Sequence, residues 1–181
     1  MSTISSSAPS PAATAPRFDQ AQLRAAFAQF PQGVVAVAAE IGGKPEGIVA
    51  STFTVGVSLD PPLVTFAVQH SSSTWPKLRE SASRLGISVI GREQFGLCRQ
   101  IASKDRENRF AGVPHTVHDD GALTIDGAPM WLNTRIYDQI TAGDHDIVVL
   151  EVLDLDVVPG EEGLVFHESE FKELSPVVVP V

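Results

Sequence analysis

From residue 33 onward the chain is a succession of short segments rich in Val, Ile and Thr, cut apart by glycines and prolines. Such segments pack as β-strands because branched side chains suit a pleated surface, and Gly or Pro clusters between them reverse the chain. Residues 33–40 and 47–54 read as two strands around the turn Gly42-Gly43-Lys44-Pro45. Pro61-Pro62 opens a third at 63–69, and 85–90 is a fourth. Two longer strands, 131–141 and 146–158, flank Ala142-Gly143-Asp144-His145, and 164–167 is a short last strand. Leu153, Leu155 and Val157 alternate with Asp154 and Asp156, which predicts one wet face at that end. Residues 147–150 are apolar throughout and call for cover on both sides.

Helical signals are few. Asp19 and Gln22 have the spacing of a capping box, and Leu23, Ala26, Phe27 and Phe30 follow helical spacing until Pro31-Gln32-Gly33. Trp75-Pro76 opens a short helix to about Ser81, since a first-turn N–H has no intrahelical partner to lose. Gln94, Leu97, Cys98 and Ile101 lie on one helical face. Residues 103–130 are polar and broken, and read as a long loop. At least six strands with so few helices predict a mainly β fold, an antiparallel barrel with short helices at its rim.

A length of 181 residues suits one domain. Residues 1–16 are nearly all Ser, Ala, Thr and Pro and read as a disordered tail, leaving 17–181 as the domain. The net charge of −9 repels a phosphate backbone and argues against nucleic acid as a partner. No run of 18 apolar residues points to a membrane span and no secretory signal is visible, so a cytoplasmic location is expected. Cys98, the single cysteine, permits no internal disulfide and suits a reducing compartment. It reads as a small core side chain rather than a catalytic thiol.

Three segments are able to hold an anion. Ala50-Ser51-Thr52-Phe53-Thr54 stands at a strand end, and its hydroxyls and N–H groups suit a polar ring edge or a phosphate, or are ordinary strand residues. Ser71-Ser72-Ser73-Thr74 precedes the Trp75 helix, where free N–H groups favour an anion, unless the hydroxyls simply cap it. In Ala102-Ser103-Lys104 the lysine either pairs with a phosphate or is solvated. His145 lies between Asp144 and Asp146, two carboxylates that would raise its pKa if close. His115 and His118 lack the further ligands of a zinc site, so no metal is expected. No G-x-G-x-x-G, P-loop or nucleophile elbow is present.

These pieces, in their order and spacing, resemble the flavin reductase family. The residues that carry the likeness are Phe30-Pro31-Gln32-Gly33-Val34-Val35, Gly47-Ile48-Val49-Ala50-Ser51-Thr52-Phe53-Thr54 and Val57-Ser58-Leu59-Asp60-Pro61-Pro62-Leu63-Val64. Ser72-Ser73-Thr74-Trp75, Asn108-Arg109-Phe110-Ala111-Gly112 and Gly143-Asp144-His145 follow, so the likeness runs from about Leu23 to Leu174. It implies an FMN-binding split barrel that transfers a hydride from NADH or NADPH to FMN or FAD. By the same likeness Val49, Ala50 and Ser51 would line the ring edge, and Thr52, Ser73 and Thr74 would hold the ribityl-phosphate end. Ala102, Ser103 and Lys104 would close over the phosphate. His145 would stand on the nicotinamide side as the catalytic residue, and Phe171 would reach the flavin or a dimer partner. A homodimer and a partner monooxygenase fed with reduced flavin are also implied. Two alternatives are a flavin oxidase of the pyridoxamine-phosphate type, for which only Arg106 and Arg109 are close in sequence, and a non-catalytic flavin or haem carrier on the same barrel. Thr54-Val55-Gly56-Val57 is one residue longer than the common family pattern, which predicts a bulge at Gly56.

Overall fold

The computed structural model describes residues 17–177. The tail expected at 1–16 lies outside the described residues. Helix α1 (Gln20–Phe27) starts at the predicted capping box: Gln22 N donates to Asp19 Oδ1 at 2.7 Å and Asp19 N to Gln22 Oε1 at 3.0 Å. The strands are β1 (Gln32–Gly33), β2 (Val35–Ile41), β3 (Lys44–Ala50), β4 (Thr54–Leu59), β5 (Pro62–Gln69) and β6 (Leu85–Val89). Then come β7 (His115–Val117), β8 (Leu123–Ile125), β9 (Met130–Ala142), β10 (His145–Val157), β11 (Val165–His167) and β12 (Glu170–Lys172). Two further helices, α2 (Trp75–Ser81) and α3 (Phe95–Ile101), fall where the sequence placed them.

Seven strands form one antiparallel sheet in the order β3-β2-β6-β9-β10-β5-β4. If flat, with strands about 4.8 Å apart, its edges would stand roughly 29 Å from each other. Yet the edge strands β3 and β4 are joined by residues 51–53 alone, and four peptide units reach at most about 15 Å. The sheet must therefore curl until its edges approach. Thr52 clasps the gap: its Oγ1 accepts from Ala67 N at 2.9 Å and donates to Ala67 O at 3.0 Å on β5. Among the described residues no ladder joins β3 to β4 or β5, so the mainly β prediction holds while the sheet is curled and open.

Alternation divides β2, together with Val34 just before it, between two cores. Val35, Val37 and Ala39 point into the curl with Phe66, Leu85, Ile87, Val148 and Leu150, closed by Trp75 and Leu78 of α2. Val34, Ala36 and Ala38 point outward to Cys98 and Ile101 of α3, to Phe110, and to Leu123 and Ile125 of β8. Burial pushes the Cys98 thiol up to about 11, consistent with a packing role.

Several boundaries differ from the sequence reading. The strand expected at 47–54 breaks after Ala50, and a separate strand β4 begins at Thr54. The predicted bulge is present: Gly56 has φ 70° and the β4–β5 register shifts between Thr54 and Ser58. The loop expected at 103–130 contains the β7–β8 hairpin, and β8 is fully buried. The turn expected as four residues at 142–145 is Gly143-Asp144 alone, with Gly143 at φ 66°, so His145 is the first residue of β10. The single wet face expected at the end of β10 is not found: Leu153, Leu155 and Val157 are exposed like the aspartates between them. Of the stretch expected to be covered on both sides, Val148 and Leu150 are buried but Ile147 is 38% exposed.

The β11–β12 hairpin turns on Glu168 and Ser169, both left-handed at φ 54° and 64°. Such a two-residue turn favours glycine, because a Cβ meets the next carbonyl oxygen. Ser169→Gly is expected to raise stability by about 0.5–1 kcal/mol, seen as a higher urea midpoint at unchanged slope.

Candidate active site

The predicted segments converge where the sheet edges approach. There a cavity of about 710 Å³ is lined by Ile48, Val49, Ala50, Ser51 and Thr52 at the end of β3, and by Ala67, Val68 and Gln69 at the end of β5. Ser71, Ser72, Ser73 and Thr74 form one wall, Ile101, Ala102 and Lys104 another, and Arg109 and His145 complete it. A volume of this size lies within the usual range for small-molecule sites.

Each wall has a local cause. Strand β3 pairs only with β2, so backbone N–H and C=O groups on its free edge face the gap. Before α2, Ser72 Oγ accepts from Trp75 N at 3.2 Å. Thr74 occupies the N-cap position but makes no capping hydrogen bond. Its Oγ1 instead accepts from Arg109 Nη1 at 2.9 Å. After α3, Ser103 Oγ donates to Asp105 O at 3.1 Å. Ser103 therefore turns into its own loop, and of the three residues expected there only Ala102 and Lys104 line the cavity.

Arg109 is the site residue that the sequence reading did not place. A Cβ on Gly47 would stand 2.7 Å from Phe110 Cζ, so only glycine lets that ring seat against β3. With Phe110 buried there, Arg109 Nε donates to Ser103 O at 2.8 Å, and Nη1 to Gly47 O at 3.4 Å as well as to Thr74. One guanidinium thus ties β3, the segment before α2 and the segment after α3. The only sequence signal was its place in Asn108-Arg109-Phe110.

His145 is held by its ladder partners Gln69 and Ala142. Its Nδ1 lies 2.7 Å from Asp144 Oδ1. The His145 hydrogen bond holds the Asp144 carboxyl below the usual carboxylate range. An ionised carboxylate only accepts, so Nδ1 carries the proton and Nε2 is the other available atom. Asp146 is not the second neighbour expected of His145. Successive strand residues point to opposite faces, and Asp146 takes hydrogen bonds from His70 Nε2 at 3.0 Å, Gln139 at 2.8 Å and Thr141 at 3.0 Å.

Phe171 lines a second cavity of about 560 Å³ that shares Val49, Ser51 and Ala102 with the first. Its ring lies 5.3 Å from that of Phe166. His115 and His118 turn to different partners, Val113 O and Thr124 Oγ1. The main cavity offers hydroxyls and two cations at one side and free backbone edge at the other, an arrangement that suits a flat polar ligand with an anionic tail.

Residues 27–175 match the model of the family described as flavin reductase like domain. A flavin reductase of Pseudomonas putida is 37% identical over 154 residues, covering 84% of this chain and 89% of that protein. An NADH:FMN oxidoreductase of Rhodococcus qingshengii is 31% identical over 159 residues, 85% of this chain and 81% of its own. The solved structure of a Streptomyces globisporus NADH:FAD oxidoreductase in complex with NAD and FAD fragments matches with a TM-score of 0.80 at 32% identity, over 87% of this chain and 94% of that one. Another relative, from Rhodococcus jostii, is the reductase subunit of a flavin-dependent monooxygenase.

Proposed function

The chain belongs to the flavin reductase-like family, and we infer that it is an NAD(P)H-dependent flavin reductase, passing a hydride from a nicotinamide nucleotide to FMN or FAD. The observation that carries the reading is the convergence of residues 48–52 and 71–74 with Ala102, Lys104 and His145 on one cavity. The residues fit a flavin on their own chemistry. Thr74 is 3% exposed and lines the cavity with its oxygen accepting from Arg109, so its hydroxyl proton is a donor that suits a phosphate. Bound flavin would supply the hydride-accepting ring.

The chain's own task is positioning. N–H groups on the free edge of β3 at 49–51 would donate to the polar ring edge, where fixed donors favour negative charge without reorganising. Ser73 and Thr74 would hold the ribityl-phosphate end through their hydroxyls and Thr52 through its backbone, its own hydroxyl being taken by Ala67, with Ala102 and Lys104 over it. His145, fixed by strand and carboxylate, would turn Nε2 to the nicotinamide. Phe171, on the adjoining cavity, would act at the rim and not on the phosphate. The finer reading of the sheet is a split barrel whose slit is the gap between β3 and β5.

We also propose that the reduced flavin is released to a partner monooxygenase and that the enzyme is a cytoplasmic homodimer. The dimer is supported by exposed apolar side chains on the outer face of the β9–β10 ribbon, Tyr137, Ile140 and Ile147 among them. Light scattering at micromolar concentration should give twice the 19.3 kDa chain mass, and a monomer with full activity would remove the interface. For the activity itself, NADH oxidation should require added FMN or FAD. If neither FMN nor FAD is quenched on titration to about 100 μM, an affinity weaker than roughly −5.5 kcal/mol, the functional reading is defeated.

A further inference from the structure

We propose that Arg109 is a positioning residue that makes the flavin site selective for phosphorylated flavin over riboflavin, acting through the Thr74 hydroxyl; this rests on the flavin reading above. A guanidinium only donates. Arg109 Nη1 lies 2.9 Å from Thr74 Oγ1, so the threonine oxygen is the acceptor of that bond. The Thr74 proton must then go elsewhere. Thr74 is 3% exposed and makes no capping bond to α2. Among the described residues no acceptor takes its proton, and its side chain lines the cavity. A buried hydroxyl with no acceptor is costly, and an acceptor on the ligand removes that cost.

The charge of Arg109 points the same way. Its protein partners are the neutral oxygens of Ser103, Gly47 and Thr74. Among the described residues no carboxylate pairs with it, in a chain whose net charge is −9. A phosphate supplies both the acceptor and the negative charge. A riboflavin hydroxyl supplies no charge, and it competes as a donor. Arg109 thereby fixes which way the Thr74 hydroxyl works, and binds Ser103 and Gly47 so that the walls on either side keep their spacing.

The test measures dissociation constants for FMN and for riboflavin by flavin fluorescence, with circular dichroism as the check on folding. Arg109→Gln and Thr74→Val are each expected to weaken FMN roughly 10- to 100-fold while moving riboflavin by less than about 3-fold. Thr74→Ser should restore FMN binding, since it keeps the hydroxyl. The double variant should be no more than about 3-fold weaker than the worse single one, because the two residues act as one unit. If Arg109→Gln does not fold, Thr74→Val and Thr74→Ser report on the same proton without disturbing the guanidinium. Equal losses for FMN and riboflavin would overturn the proposal. So would a double variant that loses the product of the two single effects, which would make Arg109 an independent ligand. Wild-type protein that binds neither flavin would overturn the functional reading as well, a result distinct from binding without selectivity.

Discussion

Alanine in place of His145 is expected to slow reduction of bound flavin by NADH roughly 5- to 150-fold, with flavin affinity moved by less than about 1 kcal/mol. The asymmetry follows from position. His145 lines the cavity from β10, whereas the proposed phosphate end is built from residues 71–74, Ala102, Lys104 and Arg109. Its backbone is fixed by the ladders to Gln69 and Ala142, and its ring by Asp144 at 2.7 Å. A side chain held this way is pre-organised, so a hydrogen bond from it to the nicotinamide costs little ordering. Its loss should appear in the reduction step, worth about 1–3 kcal/mol. Stopped-flow reduction of bound flavin, paired with a flavin titration of the same variant, separates the two effects. An unchanged reduction rate would remove His145 from the active site. Normal reduction at saturation with a large loss of affinity would make it a flavin ligand instead.

Gly86→Ala is expected to cost at least about 3 kcal/mol of stability, a large share of what holds a domain of this size together. Gly86 lies on β6, paired to Ala38 of β2 and Asn133 of β9. A Cβ there would stand 2.0 Å from Leu123 O and 2.5 Å from Leu123 C. These are backbone atoms of the buried strand β8, so no side chain is free to swing aside. Relief would require β8 to lift from the second core, where Leu123 and Ile125 pack on α3 and β2. Gly96→Ala is the control: nothing lies within 4 Å of a Cβ at that position in α3. It should gain about 0.5–1 kcal/mol from helix propensity. Urea unfolding of both variants provides the comparison, and a Gly86→Ala midpoint near wild type would show that β8 adapts.

Much of the site was legible before the fold was known. Val49, Ala50, Ser51, Thr52, Ser73, Thr74, Ala102, Lys104 and His145 all line one cavity. Ser103 does not, because its hydroxyl reaches Asp105 O. The Asp146 carboxylate does not pair with His145, because strand alternation turns it to the other face and to His70. Arg109 escaped because arginine in a loop is ordinarily solvated, and nothing near it in sequence announces its contact with Thr74, 35 residues away.

The sequence alone determined where the chain would extend, turn and coil. Asp19 with Gln22 marked a helix start, and Gly42-Gly43, at φ 60° and 75°, marked a hairpin turn. Gly56 marked a bulge. Each is a local requirement, met by a residue's own backbone preference or by neighbours within one turn, and residue type is enough to state it. Tertiary structure alone decided that the sheet curls without closing, that 115–125 folds as a hairpin whose second strand is buried, and that Gly86 must stay bare beneath Leu123. It also decided that one guanidinium ties three segments of the cavity wall. These depend on which distant backbone lies across from a residue, and that is fixed only when the two cores pack on either side of β2.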